Sequence, residues 1–301
     1  MSPSSARNQK PPVIHHHIDV DGTATHYIES GKGSPVLLLH GAGANSGNWL
    51  QTVESLSGEH RVVAVDLPGY GDTASLDRKD PAATVAFLWR FAESAGLGRH
   101  VVVGHSFGGL LALLMALERP EQVRGVVAVA AGGLGRAISP VAAIQAGTPL
   151  GDLTPLLATV PGGPQLLVTG VAAVGAARPW RLPMSWWKSQ LKAASSYRDL
   201  RTALSTFRAT VGLWGQHQSI LGRLPELSMP VLVLWGLQDR MVPFWHGVRA
   251  ARRIPHSDLH LMPCSGHLVI NESGRAVQQQ LAEFLRKTEL LTAQDPKPKR
   301  G

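Results

Sequence analysis

One short stretch constrains this chain more than any other: Gly104-His105-Ser106-Phe107-Gly108-Gly109. An apolar, β-branched run from His100 to Val103 precedes it, and good helix formers from Leu110 to Leu117 follow. The pattern predicts a strand, a very tight turn and a helix, with a serine at the apex. Glycine at 104 and 108 lets the backbone turn where a side chain would clash, and the small Gly109 lets the helix pack closely. Such a turn lifts the Ser106 hydroxyl above the sheet edge. It also sets the Phe107 N–H near a helix N-terminus, ready for an oxyanion. The flanking strand and helix separate this reading, a nucleophile elbow, from an ordinary Gly/Ser turn.

Around that stretch strands and helices alternate. Val13 to Val20 and Thr23 to Glu29 read as two strands joined at Asp21-Gly22, a type I′ hairpin signal. Pro35 to Leu39 and Val62 to Val65 are continuous apolar runs, as in strands buried on both faces of a parallel sheet. Helices are expected over Ser46 to Leu56, from an Asp80 N-cap with Pro81 at the first helical position to Ala95, and from the turn to Arg119. A strand over 125–130 follows. From Ala131 the rhythm changes: glycines and prolines punctuate helix-like pieces, with no buried strand until Val231. The sheet resumes over Pro230 to Trp235, then come a helix near Phe244 to Arg253, a strand from Asp258 to Met262 and a last helix from about Glu272 to Leu290.

The expected class is therefore α/β, with eight mostly parallel strands flanked by helices. The core comprises 13–132 and 229–291, interrupted by a helical cap over 133–228. Residues 1–12 read as a disordered arm and 292–301 as a loose basic tail.

Composition narrows the function. At 301 residues and 44% apolar, the chain can bury a large core. Its single cysteine, Cys264, rules out an intramolecular disulfide and a four-thiolate metal site. The polar N-terminus lacks the apolar segment of a secretory signal, and no run approaches the ~18 apolar residues of a membrane span. A cytoplasmic location is the expectation. Net charge is +8, and nine Lys/Arg against three acids place most of it in 133–228. No recognition motif accompanies that charge, so no nucleic-acid partner is expected. Of His15, His16 and His17 only the first and last share a strand face, with no carboxylate or cysteine cluster beside them. They read as solvated, and no metal site is expected.

A serine nucleophile needs a base, and the base needs a partner that fixes its tautomer. Candidates stand at strand ends, where ligands of open α/β sheets bind. Asp239 follows the seventh strand in Trp235-Gly236-Leu237-Gln238-Asp239, and His267 follows the eighth in Ser265-Gly266-His267. The chain order is Ser106, Asp239, His267. Ala128 to Arg136 offers no competing acid, and Asp258 opens its strand at the wrong end. The second oxyanion donor is expected at Ala42 N–H in His40-Gly41-Ala42-Gly43, partnering Phe107 N–H. His40 is expected to brace that loop, His105 to pack beneath the elbow, and His246, His256 and His260 to sit on surface elements.

With these motifs the chain resembles the α/β-hydrolase superfamily, in its cap-bearing branch of esterases, lipases, haloperoxidase-like enzymes and carbon–carbon bond hydrolases. HGAGA (40–44), DLPGYGDT (66–73), GHSFGG (104–109), WGLQD (235–239) and SGH (265–267) carry the resemblance, over roughly residues 35–270. It implies a serine that attacks a carbonyl, an acyl-enzyme, and its release by water activated by the histidine, with no cofactor. Ser106 departs from the aspartate nucleophile of haloalkane dehalogenases and epoxide hydrolases. Leu268 replaces the tryptophan that commonly follows the histidine of carbon–carbon hydrolases, although Arg178 or Arg181 could still meet a carboxylate.

The cap holds Trp180, Trp186, Trp187 and Trp214 among basic residues, and an apolar stretch, 166–177. Aromatic and basic residues around an apolar lid suit a small-molecule ester with a lipid-like acyl group, and a peripheral contact with anionic membrane. The competing reading makes these tryptophans the small core of a helical cap. Substrate contacts are expected from His40, Gly41, Trp180 and Arg181. The function expected is ester hydrolysis. The alternatives are carbon–carbon cleavage of a vinylogous diketone and a non-catalytic binding member of the fold. Oligomeric state is not encoded in any of these features.

Overall fold

The computed structural model describes residues 10–217 and 219–294. The arm expected over 1–12 and the tail over 292–301 lie outside the described residues, except for 10–12 and 292–294. The Pro11 and Pro12 carbonyls accept from Ser30 Oγ at 3.0 Å, so that end of the arm is tied to the sheet. Residues 292–294 continue the last helix rather than a loose tail.

Strands β1 (Ile14–Val20) and β2 (Thr23–Ser30) pair antiparallel. Asp21 and Gly22 both take positive φ, 49° and 82°, as the I′ turn demands. Then follow β3 (Ser34–Leu39), a 3₁₀ turn (Ser46–Trp49) leading into α1 (Leu50–Leu56), β4 (His60–Val65) and α2 (Pro81–Ser94). Asp80 caps α2 by accepting from Ala83 N–H at 2.9 Å. The central unit is β5 (His100–His105), α3 (Phe107–Glu118) and β6 (Val123–Val129).

Between β6 and the next sheet strand lie α4 (Pro140–Gly147), a 3₁₀ segment (Pro149–Thr159), α5 (Gly163–Gly175), α6 (Met184–Ala194) and α7 (Tyr197–Thr210). A short ribbon, β7 (Val211–Gly212) with β8 (Gly215–Gln216), closes this region where the sequence pattern predicts no strand. Its strands are two residues long, below what apolar periodicity can reveal. The chain ends with β9 (Val231–Gly236), α8 (Trp245–Ala251), β10 (Ser257–Met262), α9 (Val269–Glu272) and α10 (Gly274–Gln294). Among the described residues no helix is long and apolar enough to cross a membrane.

The eight-stranded sheet has the order β1-β2-β4-β3-β5-β6-β9-β10, with antiparallel pairing only at β1/β2 and β2/β4. Only β2 runs against the rest. Both sheet faces are covered, which explains the uninterrupted apolar runs. Leu37 and Leu39 face the layer with α2 and α3, whereas Val36 and Leu38 face the layer with α1 and α10. The parallel strands thus present their carboxyl ends along one edge, where the loops after β3, β5, β9 and β10 meet.

Candidate active site

The elbow is built by close contact. A Cβ on Gly104 would lie 2.0 Å from Gly108 O, and one on Gly108 would lie 2.3 Å from Leu39 O, so larger residues would push the turn apart. Ser106 itself sits at φ 54°, ψ −114°, a conformation L-residues rarely hold. Its backbone is pinned on both sides: Ser106 N–H donates to Val129 O at 2.9 Å, and Ser106 O accepts from Gly109, Leu110 and Gly132 N–H.

The three residues expected from separate strand ends come together. His267 Nε2 is 3.0 Å from Ser106 Oγ, and His267 Nδ1 is 2.9 Å from Asp239 Oδ2. Asp239 is buried, and its Oδ1 accepts from Met241 and Val242 N–H at 2.8 Å each. Those two bonds orient the carboxylate and leave Oδ2 for the histidine. His267 is held from behind as well: its carbonyl accepts from His105 Nε2 at 2.8 Å. Burial pushes the His105 pKa down to about 3, with the neighbouring His267 adding to the effect, so this ring stays neutral and keeps Nε2 as a donor. His105 does pack beneath the elbow, and it also positions the base, a role no sequence signal announced.

The glycine turn after β3 reaches the same point. Ala44 N–H donates to Gly41 O, Gly43 takes φ 77°, and Gly41 lies so close that a Cβ there would meet Ser106 Cβ at 3.2 Å. Ala42 and Phe107 both border the cavity above Ser106. His40 does not; it is buried below the turn, donating from Nδ1 to Gly41 O and accepting at Nε2 from Leu67 N–H. Burial lowers its pKa, which suits this neutral bracing role and not substrate contact. Asp66 braces the same loops, accepting from Ser46 N–H, Asp72 N–H and His26 Nδ1. Burial alone would raise the Asp66 carboxyl, but these bonds, that from His26 foremost, outweigh it and hold the group down at about 2.

The cavity over Ser106 has a volume of about 220 Å³. Its walls are mainly apolar, from Leu110, Val168, Trp186, Leu204, Phe207 and Leu268 among others, with Gln145, Gln190 and Gln216 as polar points. Its lining includes no lysine or arginine among the described residues, and its one carboxylate is Asp199, paired with Arg198 at 3.1 Å. Leu200, Ala203, Leu204 and Phe207 of α7 line it at positions i, i+3, i+4 and i+7. That stripe was visible in the sequence as helical periodicity but not as a cavity wall.

Two expected substrate contacts fall elsewhere. Trp180 is 79% exposed and Arg181 is exposed, and neither borders the cavity; nor does Arg178. A three-residue 3₁₀ turn, Pro179–Arg181, carries the pair outward. The cap tryptophans divide: Trp186 is buried in a small cluster with Val168, Ala172, Leu182 and Leu268, whereas Trp214 is 85% exposed. His246, expected at the surface, is buried against Gly135. Away from the cavity, His17, His26 and Asp72 bring ligand atoms within 4.8 Å of one another, and His15 Nδ1 lies 2.9 Å from His26 Nε2. Cross-strand pairing of His17 with His26 produced this set, the one group among the described residues with the donors to hold a cation.

Comparison with known proteins agrees with this fold. The family model for the α/β hydrolase fold matches residues 34–273. A pimeloyl-[acyl-carrier protein] methyl ester esterase of Vibrio atlanticus is 30% identical over 86% of this chain and 96% of its own length. A 2-hydroxy-6-oxo-6-phenylhexa-2,4-dienoate hydrolase of Burkholderia cepacia is 26% identical over 86% of this chain and 90% of its own. The solved hydrolase of that same name from Rhodococcus sp. strain RHA1 superimposes with a TM-score of 0.76, at 22% identity, over 92% of this chain and 99% of its own. The match over most of its length places this chain in the α/β hydrolase fold family.

Proposed function

We propose that this chain is a serine hydrolase that cleaves a neutral carboxylic ester bearing an extended apolar group, through an acyl-enzyme on Ser106. One observation carries the choice of substrate: the cavity over Ser106 is apolar and has no cationic side chain among its described lining residues. In this reading His267 Nε2 takes the hydroxyl proton as Ser106 Oγ attacks the ester carbonyl, and Asp239 stabilises the imidazolium that results. The N–H groups of Ala42 and Phe107 receive the oxyanion. The alkoxide leaves with the proton from His267. Water, deprotonated by the same nitrogen, then attacks the acyl carbon and frees the acid and Ser106. His267 returns the proton it took from water to Ser106 Oγ as the acid departs.

Carbon–carbon bond cleavage is the second reading, favoured by the relatives named as dienoate hydrolases. A dienoate carries a carboxylate, and the described cavity lining offers it no lysine or arginine; the one carboxylate there, Asp199, is already paired with Arg198 at 3.1 Å, so a second anion leaving water would find no free cationic partner in the wall. The pimeloyl methyl ester esterase supports the ester reading. The two are separated by offering the protein p-nitrophenyl esters from acetate to laurate beside 2-hydroxy-6-oxo-6-phenylhexa-2,4-dienoate. Ester turnover with an optimum beyond acetate is expected. Preferential turnover of the dienoate would overturn the ester reading.

A further inference from the structure

Residues 137–177 contain one charged side chain, Asp152. That carboxylate is already spent in a two-pronged pair with Arg208, at 2.6 and 3.1 Å. Across the same 41 residues, large apolar side chains stand in solvent: Leu150, Leu153 and Leu156 on the 3₁₀ segment, and Leu166 at the start of α5. Leu213 and Trp214, at the turn between β7 and β8, join them, because Gly147 at the end of α4 abuts Leu213. The 3₁₀ segment packs on both α4 and α5, so these positions lie on neighbouring elements. A monomer facing only water rarely leaves so many large apolar groups together.

Two further observations select the occupant. Exposed basic residues flank this surface: Arg136, whose carbonyl accepts from Gln216 N–H beside the Trp214 turn, and, just beyond α5 in the chain, Arg181 and Lys188, the latter on α6, which packs on α5. None of these three makes an ion pair among the described residues. A second copy of the chain would bring like charges face to face, whereas an anionic bilayer would neutralise them. The same elements also line the cavity on their inner side, through Gln145, Thr154 and Val168, and Val171 is both exposed and part of the lining. These elements therefore separate the cavity from the apolar surface, with Val171 reaching both.

We propose that the α4–3₁₀–α5 face of the cap, with the Trp214 turn, seats in the interfacial region of an anionic phospholipid bilayer and opens the cavity over Ser106 toward the acyl chains. The apolar side chains enter the headgroup–acyl boundary, and Arg136, Arg181 and Lys188 meet the phosphates. This seat places Trp180 and Arg181, which fail to reach the cavity, at the bilayer surface instead.

The test is co-sedimentation of the full chain with sucrose-loaded vesicles of phosphatidylcholine alone or with phosphatidylserine, at low and high salt. Three proteins are compared: wild type, Leu153→Ser/Trp214→Ser and Arg181→Glu/Lys188→Glu. Binding to the anionic vesicles at low salt is expected, falling at least about tenfold in each double variant and on charge screening. Circular dichroism and p-nitrophenyl acetate hydrolysis of both variants should match wild type, since none of the four residues borders the cavity. No wild-type binding to anionic vesicles, or binding unchanged in the Leu153/Trp214 variant, would overturn the proposal. So would a concentration-dependent dimer in sedimentation velocity that the same substitutions abolish, since the face would then belong to a second copy. Binding should persist in Ser106→Ala, so a failure of the ester reading leaves this result separately visible.

Discussion

The sheet core and the cap obey opposite rules of burial. In the core, Val36 to Leu39, Val62 to Val65 and Val231 to Trp235 are buried on both faces, and the polar groups that accompany them, Asp66, His105 and Asp239, are each hydrogen-bonded. In the cap, large apolar side chains are left in water beside a small closed cluster around Trp186. A core must hold Ser106, His267 and Asp239 to within tenths of an ångström, so its sequence is fixed by packing. The cap needs only to roof the cavity, and its outer surface is free to serve a partner.

The largest effects should come from the core constellation. His267→Ala should lower kcat/KM for an ester by about 10⁶-fold, and Asp239→Asn by about 10⁴-fold, with folding intact by circular dichroism. Equal activity in either variant would break the assignment of these side chains.

Tryptophans give the next contrast. Trp235 is fully buried and donates from Nε1 to Val242 O, so Trp235→Ala should cost about 3–5 kcal/mol in urea unfolding. Trp214→Ala should stay within about 0.5 kcal/mol, because a surface side chain is removed. A large loss at Trp214 would mean that the cap surface is a structural element after all.

Asp66 sharpens the same contrast through pH. Its carboxyl is held at about 2 against an ordinary 3.8, so its stabilisation is present above pH 4 and is lost as pH falls through 2. The shift corresponds to about 2 kcal/mol. Asp66→Asn should therefore lower stability by roughly that amount at pH 6 and by little near pH 2, measured by calorimetry or urea unfolding.

The smallest effect concerns the cavity. Asp199→Asn removes a carboxylate from its wall and should improve KM for a carboxylate-bearing ester by about fivefold, an electrostatic change on the order of 1 kcal/mol. Neutral esters should be unaffected.

How much of this was legible followed the same division. The HGAGA, GHSFGG, WGLQD and SGH segments announced themselves because glycine spacing and strand-end position are local properties. The structure then brought Ser106, Asp239 and His267 within hydrogen-bonding distance across 133 and 28 residues of chain. The role of His105 was hidden, since its bond to the His267 carbonyl spans 162 residues. Trp180 and Arg181 were misplaced because nothing in a Pro-Trp-Arg turn tells which way it faces. The His17–His26–Asp72 group was likewise invisible, arising from hairpin register and a loop beyond β4.

Intact-mass analysis after exposure to a fluorophosphonate, for wild type and Ser106→Ala, tests the central claim most directly. A single adduct on wild type that is absent from Ser106→Ala is the predicted result, since only a serine activated by a base, as Ser106 is by His267 at 3.0 Å, should react. An adduct that survives Ser106→Ala would contradict it by placing the reactive nucleophile elsewhere, and absence of any adduct on folded wild type would contradict it and leave the chain a binding member of its fold.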